Sequence, residues 1–173
     1  MFTDVHTCPV VFFPVIAINV GIITFPGPIY DKSNRAVQVN PSNEVVLSAD
    51  DQGATTFMLV GCRAWDTVSE ALRPRCFSLA EANRPGWYVR HISFFLYVDP
   101  KPAGDSPLFD ADSSFILHSD TFYPGYYALE SVNFPDYYIQ SLVDGRLGVT
   151  QRNDTTQYND TASFMIGYNV SGK

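Results

Sequence analysis

The chain has 173 residues, enough for one substantial hydrophobic core and too few for two ordinary domains, so we expect a single domain. Only 17% of the residues are charged and 14% are aromatic, with 12 prolines and 11 glycines, a composition that disfavours long amphipathic helices and favours an all-β fold. The net charge of −7 and the scattering of the basic residues argue against a nucleic-acid partner.

The first predicted elements lie in an apolar segment at residues 9–25, which two prolines, an asparagine and a glycine interrupt. A membrane helix needs about 20 consecutive apolar residues, and a signal peptide begins with positive charge. No lysine or arginine precedes Lys32. We therefore predict one or two buried strands in this segment and no insertion into a membrane.

Three similar segments recur along the chain and carry the most information about its architecture. They are TTFML (55–59), SSFIL (113–117) and ASFMI (162–166). Their phenylalanines, Phe57, Phe115 and Phe164, are separated by about fifty residues. Three repeats of this length account for the whole chain.

Each repeat also contains a proline phrase and short runs typical of strands. The phrases are TFPGPIY (24–30), NRPGWYV (83–89) and NFPDYYI (133–139). The runs include EVVLS (44–48), FFLYV (94–98) and RLGVT (146–150), bounded by Pro, Gly, Asn and Asp. We expect about four short strands in each repeat, with lobes near residues 9–63, 76–121 and 122–170.

Threefold repetition of a four-strand unit predicts a β-trefoil, a barrel closed by three hairpins with pseudo-threefold symmetry. One such unit cannot bury its own apolar face, so the three share one core and residues 1–173 form a single domain. The three phenylalanines are expected at equivalent inward positions, where the burial of each contributes about 1.5–3 kcal/mol. A β-sandwich is the alternative, but it gives no reason for repetition at this period.

The histidines and cysteines give no signal for a metal site. The three cysteines, Cys8, Cys62 and Cys76, lack CxxC spacing, and the chain has only three histidines. A nucleophile elbow, an HExxH pair, a phosphate-cradling glycine loop and a thiol-enzyme pattern are not found either. We expect no cofactor and no enzymatic activity.

Sequons at Asn153, Asn159 and Asn169 favour an extracellular, glycosylated domain, although unmodified surface loops are an equal alternative. In an oxidising compartment, a disulfide between Cys62 and Cys76 would close a short loop and stabilise the fold by ~3 kcal/mol. The remaining cysteine would then be free or bound to another chain.

Two of the repeats resemble a known family. NRPGWYVRH (83–91) and SVNFPDYYIQ (131–140), each followed by an aliphatic strand and then by LFDADSSF or QYNDTASF, are similar to the C-terminal arabinose-binding domain of fungal α-L-arabinofuranosidase B, the family 42 carbohydrate-binding modules. The resemblance covers residues 78–166 well and 24–59 faintly. It implies a β-trefoil that binds arabinofuranose side chains of hemicellulose.

In that family, each lobe's pocket uses the histidine that ends the Tyr-x-Arg-His phrase and the aspartate three residues before the repeated phenylalanine. The second repeat keeps both, as His91 and Asp112. A carboxylate accepts hydrogen bonds from sugar hydroxyls, and an imidazole offers one donor and one acceptor. Trp87 or Tyr88 would add an aromatic face, although one of the two is expected in the core because neighbouring strand residues point to opposite faces.

The other repeats depart from the family at these positions. The third has Ser141 and Thr161, and the first has Ala54 and no Arg-His pair. Two structural alternatives remain open: His91 as an ordinary hydrogen-bonded side chain, and Asp112 as an acceptor of backbone N–H groups in its turn.

The predicted function is a non-catalytic, lectin-like carbohydrate-binding module of an extracellular protein, with a single lobe retaining the pocket. Its partner would be a glycan, of pentofuranose type or another. The alternative is an extracellular protein-interaction or structural module in which the sugar pockets are vestigial.

Overall fold

The computed structural model describes residues 26–48 and 53–167. The strands predicted within residues 9–25, the third cysteine Cys8 and the sequon at Asn169 lie outside the described residues. Within those residues, all the extended structure is β-sheet and helix is confined to short segments, which confirms the all-β prediction.

Twelve strands occur in the described part of the chain, in three consecutive groups of four that we call the first, second and third lobes. The first lobe has β1 (Ile29–Asp31), β2 (Ala36–Val39), β3 (Val45–Ser48) and β4 (Phe57–Gly61). The second has β5 (Cys76–Glu81), β6 (Trp87–Ile92), β7 (Phe95–Pro100) and β8 (Phe115–Ser119). The third has β9 (Tyr127–Ser131), β10 (Tyr137–Ser141), β11 (Leu147–Gln151) and β12 (Phe164–Ile166).

Two six-residue helices, α1 (Pro107–Asp112) and α2 (Thr156–Thr161), precede the last strand of the second and third lobes. Short 3-10 turns occupy Trp65–Thr67 and Arg73–Arg75, between the first two lobes. The sequence predicts neither α-helix, because a six-residue segment spans less than two turns and shows no helical period.

Six of the strands close into a ring of antiparallel pairs. Around it, β1 pairs with β12, β12 with β9, β9 with β8, β8 with β5, and β5 with β4. A bridge between Gly27 and Phe57 joins the segment before β1 to β4 and completes the ring. The other strands form the hairpins β2–β3, β6–β7 and β10–β11. Single pairs connect these hairpins to one another.

All three lobes contribute to one hydrophobic core. The repeated phenylalanines Phe57, Phe115 and Phe164 each begin the fourth strand of a lobe and are 2%, 0% and 1% exposed. They belong to a single cluster of buried side chains that includes strand residues of every lobe. The burial predicted for all three is therefore confirmed.

The repeated phrases of the second and third lobes form the turns between the first two strands of each lobe. In RPGW (84–87) and FPDY (134–137), the last amide donates to the first carbonyl, at 3.0 and 3.1 Å. Proline holds the second position, and the third has positive φ, 84° at Gly86 and 68° at Asp136. This is the pattern typical of a type II turn.

The first lobe does not repeat this turn, and the predicted equivalence of TFPGPIY is wrong. Ile29 and Tyr30 lie on β1, which pairs with β12 as β5 pairs with β4. The pair Tyr30–Ala36 corresponds to Ala80–Tyr88, so AVQV on β2 stands where YVRH stands on β6. Only four residues separate β1 from β2. This connection is too short for the proline turn that joins the first two strands of the second and third lobes.

A disulfide joins Cys62 and Cys76, the cysteines that the sequence pairs, with their Cα atoms 5.2 Å apart. Both belong to a second, smaller hydrophobic cluster with Ala64, Val68 and Ile116. This cluster attaches the segment between the first and second lobes to β8. In residues 26–48 and 53–167, no helix has the length and apolar character needed to cross a membrane.

Candidate functional site

The structure brings together the two residues predicted to contact a sugar. His91 lies near the end of β6 and Asp112 is the last residue of α1. The distance from His91 Nε2 to Asp112 Oδ1 is 3.7 Å. Both residues are largely buried, with 4% and 7% of their surface exposed.

A residue of the third lobe lies between them. Asn133 Nδ2 donates to Asp112 Oδ1 at 2.8 Å, and Asn133 Oδ1 lies 2.9 Å from His91 Nε2. Because the amide oxygen can only accept, this contact requires a proton on His91 Nε2. Ser131 Oγ donates to Asn133 Oδ1 at 2.8 Å and is 3.2 Å from His91 Nε2. We call His91, Asp112, Ser131 and Asn133 the second-lobe cluster.

The second oxygen of Asp112 faces a cation that has two carboxylates near it. Arg90 Nη1 is 3.9 Å from Asp112 Oδ2, and Arg90 Nε donates to Asp99 Oδ2 at 2.8 Å. All three side chains are between 10% and 27% exposed. Arg90, Asp99 and Asp112 together therefore bring one cationic and two acidic side chains to this place.

Exposed aromatic rings lie beside the second-lobe cluster. The Phe134 ring is 5.4 Å from the His91 ring in an edge-on arrangement, and Phe94 is 5.2 Å from Phe134. Tyr137 is 5.7 Å from both phenylalanines. Phe94 and Phe134 are 45% and 36% exposed. We call Phe94, Phe134 and Tyr137 the aromatic patch.

Trp87 and Tyr88, one of which was predicted to contact the sugar, lie on opposite faces of β6. Trp87 packs against the core, with the guanidinium of Arg84 4.4 Å from its ring. Tyr88 points to the other side of β6, where it meets Phe109 of α1 at 6.3 Å and Arg63 at 4.8 Å. These contacts do not place either ring against His91 or Asp112. The opposite orientation of neighbouring strand residues explains why both cannot serve one site.

Sequence reasoning missed Ser131, Asn133 and the aromatic patch. Asn133 and Phe134 belong to the third repeat and reach the second-lobe cluster only through the pairing of β8 with β9. Their only signal in the sequence is the phrase SVNFP, which by its position in the chain belongs to the third repeat.

The third lobe has a corresponding arrangement without charges. Strand registers place Ser141 at the position of His91, and Thr161 ends α2 as Asp112 ends α1. Gln140 Nε2 donates to Thr161 Oγ1 at 2.7 Å, and Gln140 Oε1 accepts from Thr150 Oγ1. No ion pair involves these side chains in the described residues.

A cleft of about 300 Å³ opens at this place in the third lobe. Its polar lining consists of Arg35, Gln140, Ser141, Gln157 and Thr161. The remaining lining residues, Leu142 and Val143, are aliphatic. Sites for small molecules have volumes of ~300–1,000 Å³, so the cleft is large enough to be one of them.

Arg35 reaches this cleft from the first lobe and is oriented by a buried carboxylate. Asp31 is 2% exposed and accepts from Arg35 N, Nε and Nη2 at 2.7, 2.8 and 2.6 Å. The side chain of Arg35 is 41% exposed. Asp31 pairs with Phe164 as Ser131 pairs with Phe115, so both stand at equivalent junctions between lobes.

Two of the three predicted glycosylation sites fall within the described residues. Asn153 is exposed and its Oδ1 accepts from both the amide and the hydroxyl of Thr155. Asn159 lies within α2 and is half-buried. In residues 26–48 and 53–167, no group of three or more His, Cys, Asp or Glu side chains is arranged to hold a metal ion.

Comparison with known proteins identifies relatives of this architecture. The family model of the alpha-L-arabinofuranosidase B (ABFB) domain matches residues 36–166. A GH54 α-L-arabinofuranosidase soaked with a cyclic sulfate inhibitor is similar with a TM-score of 0.64 and 21% identity, over 82% of this chain and 30% of that chain. An arabinofuranosidase complexed with arabinofuranosyl-alpha-1,2-xylobiose has a TM-score of 0.63 and 20% identity, over 83% and 31%.

A third similar structure is the GlcNAcα1-4Gal releasing endo-β-galactosidase from Clostridium perfringens, with a TM-score of 0.56 and 10% identity, over 81% of this chain and 31% of that chain. This chain thus spans about 30% of the length of these enzymes. At such low identity the likeness shows the fold alone. No curated protein sequence matches the chain.

Proposed function

The chain belongs to the alpha-L-arabinofuranosidase B domain family, and we propose that it is a non-catalytic carbohydrate-binding module. The family match over residues 36–166 supports this function. In a GH54 α-L-arabinofuranosidase the matching region covers 30% of that chain, which supports an accessory domain.

We assign the fold to the β-trefoil class, with the three lobes related by pseudo-threefold symmetry. The support is the matching connectivity of the lobes. In each lobe the first and fourth strands lie in the ring and the second and third form a hairpin. The first lobe departs from the repeat in its short turn.

The proposed sugar site is the second-lobe cluster with the aromatic patch beside it. The observation that carries it is the 3.7 Å approach of His91 Nε2 to Asp112 Oδ1, from two separate elements. They present a carboxylate that can accept from sugar hydroxyls and an imidazole that can donate to them or accept from them. The exposed rings of Phe94 and Phe134 would pack against the apolar face of the sugar.

Access to these polar groups requires a local rearrangement. His91 and Asp112 are 4% and 7% exposed, and Asn133 already occupies their facing atoms. A sugar would replace the donor and acceptor of Asn133 once that side chain turns away. The rearrangement would reduce the apparent affinity by the population of the open form, and useful binding would need several copies or modules.

The test is a titration with methyl α-L-arabinofuranoside and a broad glycan array, on the wild type and the variants His91→Ala and Gln151→Ala. Gln151 is the control because it is exposed and lies outside the second-lobe cluster and the third-lobe cleft. We expect weak binding of methyl α-L-arabinofuranoside that His91→Ala abolishes and Gln151→Ala retains. Absence of any glycan signal, or an unchanged signal in the His91 variant, would reject this site.

We also propose that the domain is extracellular, glycosylated at Asn153 and Asn159, and at Asn169 beyond the described residues. The exposure of Asn153 and the Cys62–Cys76 disulfide support this location. Expression in a secreting eukaryotic cell should give a mass that falls on enzymatic deglycosylation. Replacing Asn153 with Gln should remove one glycan from that total, and an unchanged mass would exclude this acceptor.

A protein-interaction module is the second candidate function. It is favoured by the engagement of His91 and Asp112 with Asn133, which leaves exposed apolar side chains as the accessible surface. These are Ile92, Phe94 and Phe134, at 38%, 45% and 36% exposure. Free glycans would compete with a partner bound through the sugar site and would have no effect on a partner bound to this apolar surface.

A further inference from the structure

The third-lobe cleft differs in charge from the corresponding place in the second lobe. Around Arg90 the second lobe has two carboxylates, Asp99 and Asp112. At the corresponding positions the third lobe has Thr150 and Thr161, which contact Gln140. The third lobe therefore keeps the contacts among these three positions, but its three side chains are all neutral. Among the residues that the structure describes, no carboxylate side chain lines the cleft.

Within residues 26–48 and 53–167, Arg35 is the one cationic side chain that lines the cleft, and its pairing with Asp31 leaves further N–H donors. Asp31 engages Nε and one N–H of Nη2 of Arg35. A guanidinium has five N–H groups, so three remain along its outer edge. Asp31 is 2% exposed while the side chain of Arg35 is 41% exposed, so the negative end of the pair is buried and the positive end faces the solvent. This edge can bind a carboxylate with two parallel hydrogen bonds.

The other polar groups of the cleft suit hydroxyls. Gln157 and Ser141 each carry donor and acceptor atoms, and the cleft that they line has a volume of about 300 Å³. Gln140 has a second amide N–H beside the one that Thr161 accepts, and the hydroxyl of Thr161, which donates to a backbone carbonyl, can accept. A neutral sugar would satisfy these groups but would leave the guanidinium edge without a partner. A sugar that carries a carboxylate would satisfy both.

We propose that the third-lobe cleft is a second binding site, separate from the second-lobe cluster, and that it takes an acidic sugar of the uronate class. Arg35 binds the carboxylate, and the amide and hydroxyl side chains of the cleft bind the ring hydroxyls. The site does not depend on sugar binding by His91 and Asp112, so either site can fail without the other.

The experiment is an NMR titration of the ¹⁵N-labelled chain with methyl β-D-glucuronide and with methyl β-D-glucoside. The two sugars differ at one carbon, where the glucuronide has a carboxylate and the glucoside has a hydroxymethyl group. We expect the glucuronide to shift amide signals in residues 140–143 and 157–161, with an affinity about tenfold above that of the glucoside. The affinity should fall as salt is added. Equal affinities, no shifts, or shifts confined to the second-lobe cluster would overturn the proposal.

A matched pair of variants tests the role of charge. Gln157→Glu places a carboxylate in the cleft, whereas Gln151→Glu makes the same change at an exposed position outside it. We expect about tenfold weaker glucuronide binding for the first and less than a twofold change for the second. Thr161→Asp is a further variant, since Asp112 shows that an aspartate fits at the end of the corresponding helix. Wild-type affinity in both cleft variants would refute the site.

Discussion

Gln140 in the third lobe makes the contacts that Arg90 makes in the second, but without a charge. Arg90 lies between Asp99 and Asp112, and Gln140 between Thr150 and Thr161. The backbone therefore places three side chains at corresponding positions in both lobes, while the chemistry of those side chains differs. A scaffold of this kind can retain its fold as its separate lobes acquire different ligands.

Loss of Asn133 should destabilise the fold. Asn133→Ala leaves Asp112 and His91 buried without their amide partner, which we expect to lower the free energy of unfolding by about 1–3 kcal/mol. Urea denaturation at neutral pH measures the change. Asn83→Ala is the matched control, since Asn83 begins the corresponding turn of the second lobe and is exposed, so its effect should stay within about 0.5 kcal/mol. Equal effects of the two variants would contradict this role.

The repeated phenylalanines should be among the most sensitive positions of the core. Phe115 is 0% exposed, and Phe115→Ala should cost about 3–5 kcal/mol through lost burial and the cavity left behind. Thermal and urea unfolding both report the loss. Leu108→Ala, at 69% exposure, should change stability by no more than about 0.5 kcal/mol. A small effect of the Phe115 variant would mean that the shared core does not depend on this position.

Acid should weaken the contacts that Glu130 of β9 makes with β8 and with the turn before β10. The hydrogen bond from His118 Nε2 at 2.7 Å lowers the pKa of Glu130, and the amide of Asp136 and the charge of Arg75 act in the same direction. A lowered pKa in the folded state means that the stabilisation is present above the usual glutamate value of ~4.3 and is lost as the pH falls through the folded-state value.

Replacement of Glu130 by Gln tests this dependence. The variant should be less stable than the wild type near neutral pH and should lose less stability between about pH 5 and pH 3. Urea midpoints measured across this range give the comparison. Glu70→Gln, at an exposed position, should keep the wild-type slope. A Glu130 variant with the same slope as the wild type would rule out this linkage.

The turn at Gly86 should discriminate between side chains by backbone strain alone. A Cβ at this glycine would meet no atom within 4 Å, but the φ of 84° disfavours most side chains. We expect Gly86→Val to cost about 1–2 kcal/mol or more. Gly86→Asp should cost less, since Asp136 adopts a φ of 68° at the corresponding turn position. Equal losses in thermal unfolding would show that the turn relaxes.

The sequence alone predicted the features that depend on a few neighbouring residues. The β-branched runs became strands, the prolines of the second and third phrases became turns, and the spacing of Phe57, Phe115 and Phe164 predicted a shared core with three contributors. These features are local because strand propensity and turn geometry act over four to six residues. The family resemblance then paired His91 with Asp112, which lie 3.7 Å apart.

Only the tertiary structure decided what surrounds that pair. The register of β8 and β9 brings Asn133 and Phe134 of the third lobe onto His91 and Asp112, and the pairing of β12 with β1 brings Arg35 of the first lobe to the cleft beside Thr161. Such contacts join residues of different repeats, and no local pattern encodes them. Each candidate site lies at a junction between lobes, so its composition follows from the closure of the ring and not from any single repeat.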